Sequence, residues 1–101
     1  MKGHLVDLHR HVMLHQNCPD PFRSVTVIPF SIQNSAIVSI TVADLHGHDL
    51  VTLLHEWRPA GEHAVEFNGE GYPEGLYLYR ITVEETVRSK TMLLLRDGNG
   101  F

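Results

Sequence analysis

The sequence predicts an all-β sandwich of about seven short strands, and three observations carry that prediction. Apolar and polar residues alternate at period two through most of the chain after Ser24. Turn-forming residues recur at intervals of roughly 8–12 residues. The one helical stripe, Leu5, Leu8 and Val12, meets His15 at its next position and goes no further. A small open barrel is the alternative closure of the same strands.

Residues 1–17 hold four of the eight histidines and have no turn signal, so they are expected to form a flexible or weakly helical leader. Cys18-Pro19-Asp20-Pro21-Phe22 ends it, because each proline restricts its own φ and drives its predecessor toward extended backbone. Val25, Val27 and Phe30 then belong to an extended run in which Pro29 predicts an edge strand or a bulge. Ile37–Val42 is the best strand in the chain, with Val38, Ile40 and Val42 on one face and Ser39 and Thr41 on the other. Asp44-Leu45-His46-Gly47 reads as a turn started by the Asp44 side chain, and Asp49–Trp57 as the return strand. Pro59-Ala60-Gly61 turns the chain again, and His63–Phe67 alternates. A loop with three glycines, residues 68–75, leads into Leu76–Val83, where Tyr77, Tyr79, Ile81 and Val83 share a face. After a short turn near Glu84-Glu85-Thr86, the run Lys90–Arg96 is the last strand. The domain is thus expected over residues 18–96, with a tail over 97–101.

Composition sets the outer limits. With 101 residues there is room for one domain, and 43% hydrophobic against 20% charged residues is the balance of a globular chain. A net charge of −4 argues against a general nucleic-acid binder. One cysteine, Cys18, excludes an internal disulfide and a cysteine-rich zinc module. Nothing approaches the ~20 apolar residues of a membrane-spanning helix. Asp7, His9, Arg10 and His11 interrupt what a signal peptide would keep apolar, so none is read.

The order of the landmarks is more specific than any one of them. Gln16-Asn17-Cys18-Pro19-Asp20-Pro21-Phe22 is followed by Ser39–Gly47 and by Pro59-Ala60-Gly61-Glu62-His63. Then come Phe67-Asn68-Gly69, Gly75-Leu76-Tyr77-Leu78-Tyr79-Arg80-Ile81 and Lys90–Arg96. In this order and spacing, residues 16–96 resemble the C-terminal sorting domain of type IX secretion cargo proteins. That domain is similar in turn to the Ig-like domain of the flagellar hook-cap assembly protein. Cys18 and Asp20 stand where the family usually carries tyrosine and asparagine.

The resemblance implies a seven-stranded, Ig-like antiparallel β-sandwich without catalytic residues, cofactor or metal. It implies a label that follows a cargo domain, folds in the periplasm, and is read by an outer-membrane translocon before a sortase removes it at the cell surface. Lys90, Met92, Leu93, Leu94, Leu95 and Arg96 are the expected recognition strand. Pro19, Pro21 and Phe22 are expected to set the lead-in against the sandwich, with Gly47, Gly61 and Gly75 at turns. Tyr77 and Tyr79 are expected at the sandwich edge. Neither nucleic acid nor membrane insertion is implied, and unpaired edge strands leave a homodimer open. The same fold could instead serve as an interaction or assembly scaffold, or as a carbohydrate-binding module.

A few residues invite sharper chemistry than packing. His9, His11 and His15 share faces in a helix or a strand, but only Asp7 joins them at ligand spacing. His46 and His48 flank Gly47 and read as solvated turn residues. Cys18 with His15 and Asp20 offers the residue types of a nucleophilic set, but on one short proline-bound segment these rarely converge. Glu56, Glu62, Glu66, Glu70, Glu74, Glu84 and Glu85 read as a solvated surface, and Gly69-Glu70-Gly71 lacks the lysine and helix of a phosphate loop. Trp57 and Tyr72 are the rings left over for sugar stacking.

Overall fold

A computed structural model describes residues 12–96, and all seven of its elements are strands. They are β1 (Val12–Leu14), β2 (Val25–Ile32), β3 (Ala36–Ala43), β4 (Asp49–Arg58), β5 (Gly61–Asn68), β6 (Gly75–Val83) and β7 (Thr86–Leu94). A three-stranded sheet in the order β1-β2-β5 packs on a four-stranded sheet in the order β4-β3-β6-β7, with every strand pair antiparallel. The chain is therefore an Ig-like β-sandwich.

The alternation read from the sequence sets the core. Val38, Ile40 and Val42 on β3 face Tyr77, Tyr79, Ile81 and Val83 on β6, in register at Val38–Val83 and Ile40–Ile81. From the other sheet, β2 contributes Ile28, Phe30 and Ile32, and β5 contributes Phe67. Burying side chains of this size contributes about 1.5–3 kcal/mol each relative to exposure. On the outer face of the four-stranded sheet Ser39, Thr41, Arg80 and Thr82 keep contact with water, as the period requires.

Four expectations need correction. The domain does not start at residue 18: Val12–Leu14 is a strand paired with Phe30–Ile32, and Val12 and Leu14 are core residues. Three residues are too few to show an alternation, and Val12 also completes the helical stripe that begins at Leu5. Residues 1–11 of the expected leader and 97–101 of the expected tail lie outside the described residues. Pro29 is neither on an edge nor at a bulge of its own strand, because β2 lies between β1 and β5. Tyr77 and Tyr79 are not at the sandwich edge; β6 is interior to its sheet and both rings are buried. The last strand begins at Thr86 and ends at Leu94, ahead of Arg96.

Candidate functional site: a clasp between the lead-in and the last strand

Between β1 and β2 the chain does not leave the sandwich. The His15 N–H donates to the Pro29 carbonyl (3.0 Å), which makes these two residues opposite partners. A residue in Pro29's place would normally return an N–H to the His15 carbonyl, and proline has none. The hydroxyl of Tyr79, reaching across the core from the other sheet, donates to that carbonyl instead (2.7 Å). The same hydroxyl accepts the backbone N–H of Asn17 (2.8 Å). Gln16 and Asn17 thus form a bulge before Cys18, whose backbone rejoins β2 by exchanging both hydrogen bonds with Val27 (2.9 and 3.0 Å). One phenol satisfies two backbone groups of the bulge that no strand partner reaches. Burial pushes the Tyr79 pKa up to about 12; the Asn17 N–H acts in the opposite direction and the Asp20 charge adds a little to the rise.

The buried polar side chains Asn17 and Thr26 hold the two-proline turn. Asn17 Nδ2 donates to the Pro19 carbonyl (3.1 Å) and to Thr26 Oγ1 (3.0 Å), and Thr26 Oγ1 donates to the same Pro19 carbonyl (2.8 Å). The Cys18-Pro19 and Asp20-Pro21 peptide bonds are both cis. With the turn so held, Phe22 enters the core with its ring edge-on to Phe67, centroids 5.9 Å apart.

From Gln16 to Phe22 the lead-in covers the second half of the β7 edge. Gln16 Nε2 donates to the Thr91 carbonyl (2.8 Å), and Asp20 Oδ1 accepts the Leu93 N–H (3.0 Å). The Phe22 N–H donates to the Leu93 carbonyl (3.0 Å), and the Leu95 N–H donates to the Phe22 carbonyl (2.9 Å), a parallel bridge. Gly69 lies under this bridge because a side chain has no room there. A Cβ would stand 3.0 Å from Phe22 Cε2 and 3.1 Å from Leu94 Cδ2.

Arg96 closes the clasp. Its guanidinium donates to the carbonyls of Arg23 (2.8 Å), Gly69 (3.1 Å) and Tyr72, while its backbone N–H donates to Glu74 Oε1 (2.8 Å). Tyr77 completes this end by donating its hydroxyl to the Pro73 carbonyl, and burial raises its pKa against the opposing charge of Arg96.

Of the expected recognition strand, Met92 and Leu94 are buried core side chains, Lys90 and Leu93 are half-buried, and Leu95 and Arg96 are exposed. Phe22 bridges that strand's edge, while the Pro19 carbonyl is held by Asn17 and Thr26 and Pro21 leads into Phe22. Gly47, Gly61 and Gly75 have φ of +89°, +131° and +146°. Only the first closes a two-strand turn, where Asp44 Oδ1 accepts the N–H groups of His46 and His48 (both 2.9 Å). Gln16, Asn17, Thr26 and Gly69 are the parts of the clasp whose roles the sequence reading did not assign.

Other candidate groups are dispersed. Asp20 is engaged with Leu93 and Gln16, and no hydrogen bond links it to the exposed Cys18 or to His15. Among the described residues no three of His, Cys, Asp and Glu stand close enough to hold a metal ion; His9 and His11 lie outside them. Trp57 is 57% exposed beside Ile37 at one end of the four-stranded sheet. Tyr72 packs on Phe67 and Tyr77 at the opposite end, so the two rings share no surface. Comparison with protein-family models, with curated proteins and with solved structures gave no significant match.

Proposed function

We propose that this sandwich is a non-catalytic sorting domain, a folded label that directs a cargo joined at its N-terminal side through the outer membrane by type IX secretion. One observation supports this most: the first and last of the landmarks that carry the resemblance, 75 positions apart at Gln16 and Thr91, meet in one hydrogen-bonded clasp. A label must keep its shape while the attached cargo varies, and a clasp that ties the lead-in to the last strand fixes that shape at the junction with the cargo. Within the recognition strand, Met92 and Leu94 anchor it in the core, so reading falls to the exposed Leu95 and Arg96 and the half-buried Leu93 and Lys90. Translocon and sortase are the partners, and the route runs from periplasm to cell surface.

The test is to fuse the whole chain behind an exported reporter in a host with type IX machinery. The reporter is expected at the cell surface or in the medium. Retention in the periplasm, with the fused domain resistant to protease, refutes the reading. That outcome would favour an interaction module of the same fold.

A further inference from the structure

The loop that Arg96 grips begins with a reactive dipeptide. Asn68 is the last residue of β5 and Gly69 the first beyond it. An Asn-Gly step is the backbone sequence most open to succinimide formation, because glycine puts no side chain in the way of its own nitrogen. Asn68 is exposed, so water reaches its carboxamide, whereas Gly69 is buried. Hydrogen bonds hold the pair out of reaction. The Gly69 N–H, whose nitrogen is the nucleophile in ring closure, donates to the Ser24 carbonyl (2.6 Å). The Gly69 carbonyl accepts from the Tyr72 N–H (3.0 Å) and from the Arg96 guanidinium (3.1 Å). Asn68 Oδ1 accepts the Glu70 N–H (2.9 Å), which occupies the carboxamide. Pairing with Val25 keeps the Asn68 backbone extended, whereas ring closure has to fold the Gly69 nitrogen back onto Cγ.

We propose that Asn68 is a modification site gated by the grip of Arg96: when the loop lifts from Ser24, Asn68 is converted to an isoaspartyl link that keeps the loop from returning. The reagent is water alone. The Gly69 nitrogen gives up its proton and attacks Asn68 Cγ. The N–Cγ bond forms, the Cγ–Nδ2 bond breaks, and Nδ2 leaves as ammonia with that proton. Water then opens the succinimide at one of its two carbonyls. Breaking the new N–Cγ bond leaves an ordinary aspartate, which still offers Oδ1 to the Glu70 N–H. Breaking the original peptide bond leaves the isoaspartyl form, whose backbone runs through Cβ and Cγ and is one atom longer just before Gly69. There is no slack to absorb that atom. A Cβ on Gly69 would already stand 3.0 Å from Phe22 Cε2 and 3.1 Å from Leu94 Cδ2. Gly69 then cannot keep both its place and its bond to Ser24, and Arg96 loses a carbonyl. The inference rests on the geometry of this loop and not on the sorting reading.

The experiment incubates the whole chain at mildly alkaline pH, in buffer and in denaturing guanidinium chloride. Peptide mapping after cleavage at glutamate follows Asn68 apart from the chain's other Asn-Gly step, at Asn99, and enzymatic methylation marks the isoaspartyl product. Asn68 should convert about a hundredfold more slowly in buffer than in denaturant, because slow chemistry follows the population of the open form. Arg96→Ala removes the guanidinium and keeps the backbone N–H that bonds to Glu74. It should speed conversion in buffer about tenfold and leave the rate in denaturant unchanged. Val83→Ala, at the far end of β6, lowers global stability and should leave the rate in buffer as in wild type. In the purified isoaspartyl form the Gly69 amide should exchange rapidly, while the aspartyl form keeps it protected. Four results would each overturn the proposal: equal rates in buffer and denaturant, no acceleration by Arg96→Ala, equal acceleration by Val83→Ala, or a protected Gly69 amide in the isoaspartyl form.

Discussion

Replacing Tyr79 by Phe removes a single oxygen and keeps the buried ring. That oxygen donates to the His15 carbonyl at 2.7 Å and accepts from the Asn17 N–H at 2.8 Å. Proline at position 29 leaves no strand donor to take over, so both backbone groups lose their partner. An unsatisfied buried polar group costs about 1–3 kcal/mol, and two together give an expected loss of roughly 2–4 kcal/mol for Tyr79→Phe. For a domain whose total stability is on the order of 5–10 kcal/mol, this is a large share.

The same hydroxyl gives a second, signed expectation. Its pKa is raised from an ordinary 10.0 to about 12. The folded state therefore holds the proton more tightly, and that contribution is complete below pH 10 and is lost as pH rises toward 12. Two units correspond to roughly 2–3 kcal/mol. Urea unfolding at pH 7 and in steps from pH 9 to 12 measures both effects. The gap between wild type and Tyr79→Phe should be widest at neutral pH and narrow through the alkaline range, while Tyr77 keeps part of the alkaline loss in both proteins. A gap under about 0.5 kcal/mol at pH 7, within the range of an ordinary surface substitution, would show that the hydroxyl is not what satisfies these two backbone groups. So would a gap that does not change with pH.

Two further expectations use the same material. Gly69→Ala places a methyl 3.0 Å from Phe22 and 3.1 Å from Leu94. It should cost about 1–3 kcal/mol in urea unfolding with the slope unchanged, as overpacking does. In the β3–β4 turn, the His48 N–H, aided by the His48 ring and the His46 N–H, holds the Asp44 carboxyl below its ordinary 3.8. The turn's stabilisation is therefore full above about pH 4 and lost as pH falls through the lowered value. The amide shifts of His46 and His48 should move together in that range, and Asp44→Ala should abolish the step.

How much of this was legible depended on whether an element leaves a periodic trace. β3 and β6 did, because eight or nine residues alternate over a one-sided core, and the buried face predicted for each is the one found. β1 left none: three residues cannot show a period, and Val12 also fits a helical stripe. The first half of β7 was missed because its core-facing positions carry Arg88 and Lys90, which read as solvent-facing residues in a strand pattern. Pro29 was misplaced for a different reason. Its tolerance inside a sheet comes from Tyr79, 50 positions later and on the other layer, and no local rule reaches that far. The clasp was half legible. Its residues stood out as landmarks, but side-chain bonds to backbone groups such as Gln16 to Thr91 follow no spacing that could be counted in advance.

The lead-in closes the second half of the β7 edge, and among the described residues no hydrogen bond closes the first half. Amide hydrogen exchange on the intact chain tests this along one edge of the sheet. Leu93 and Leu95, whose N–H groups bond to Asp20 and Phe22, should exchange only through global unfolding, together with Phe22 and Asn17. Val87 and Ser89, whose N–H groups turn away from β6 by the same alternation but lie beyond Gln16–Phe22, should exchange orders of magnitude faster. Equal, fast exchange at all four of these amides would contradict the clasp, and with it the main structural support for the proposed function.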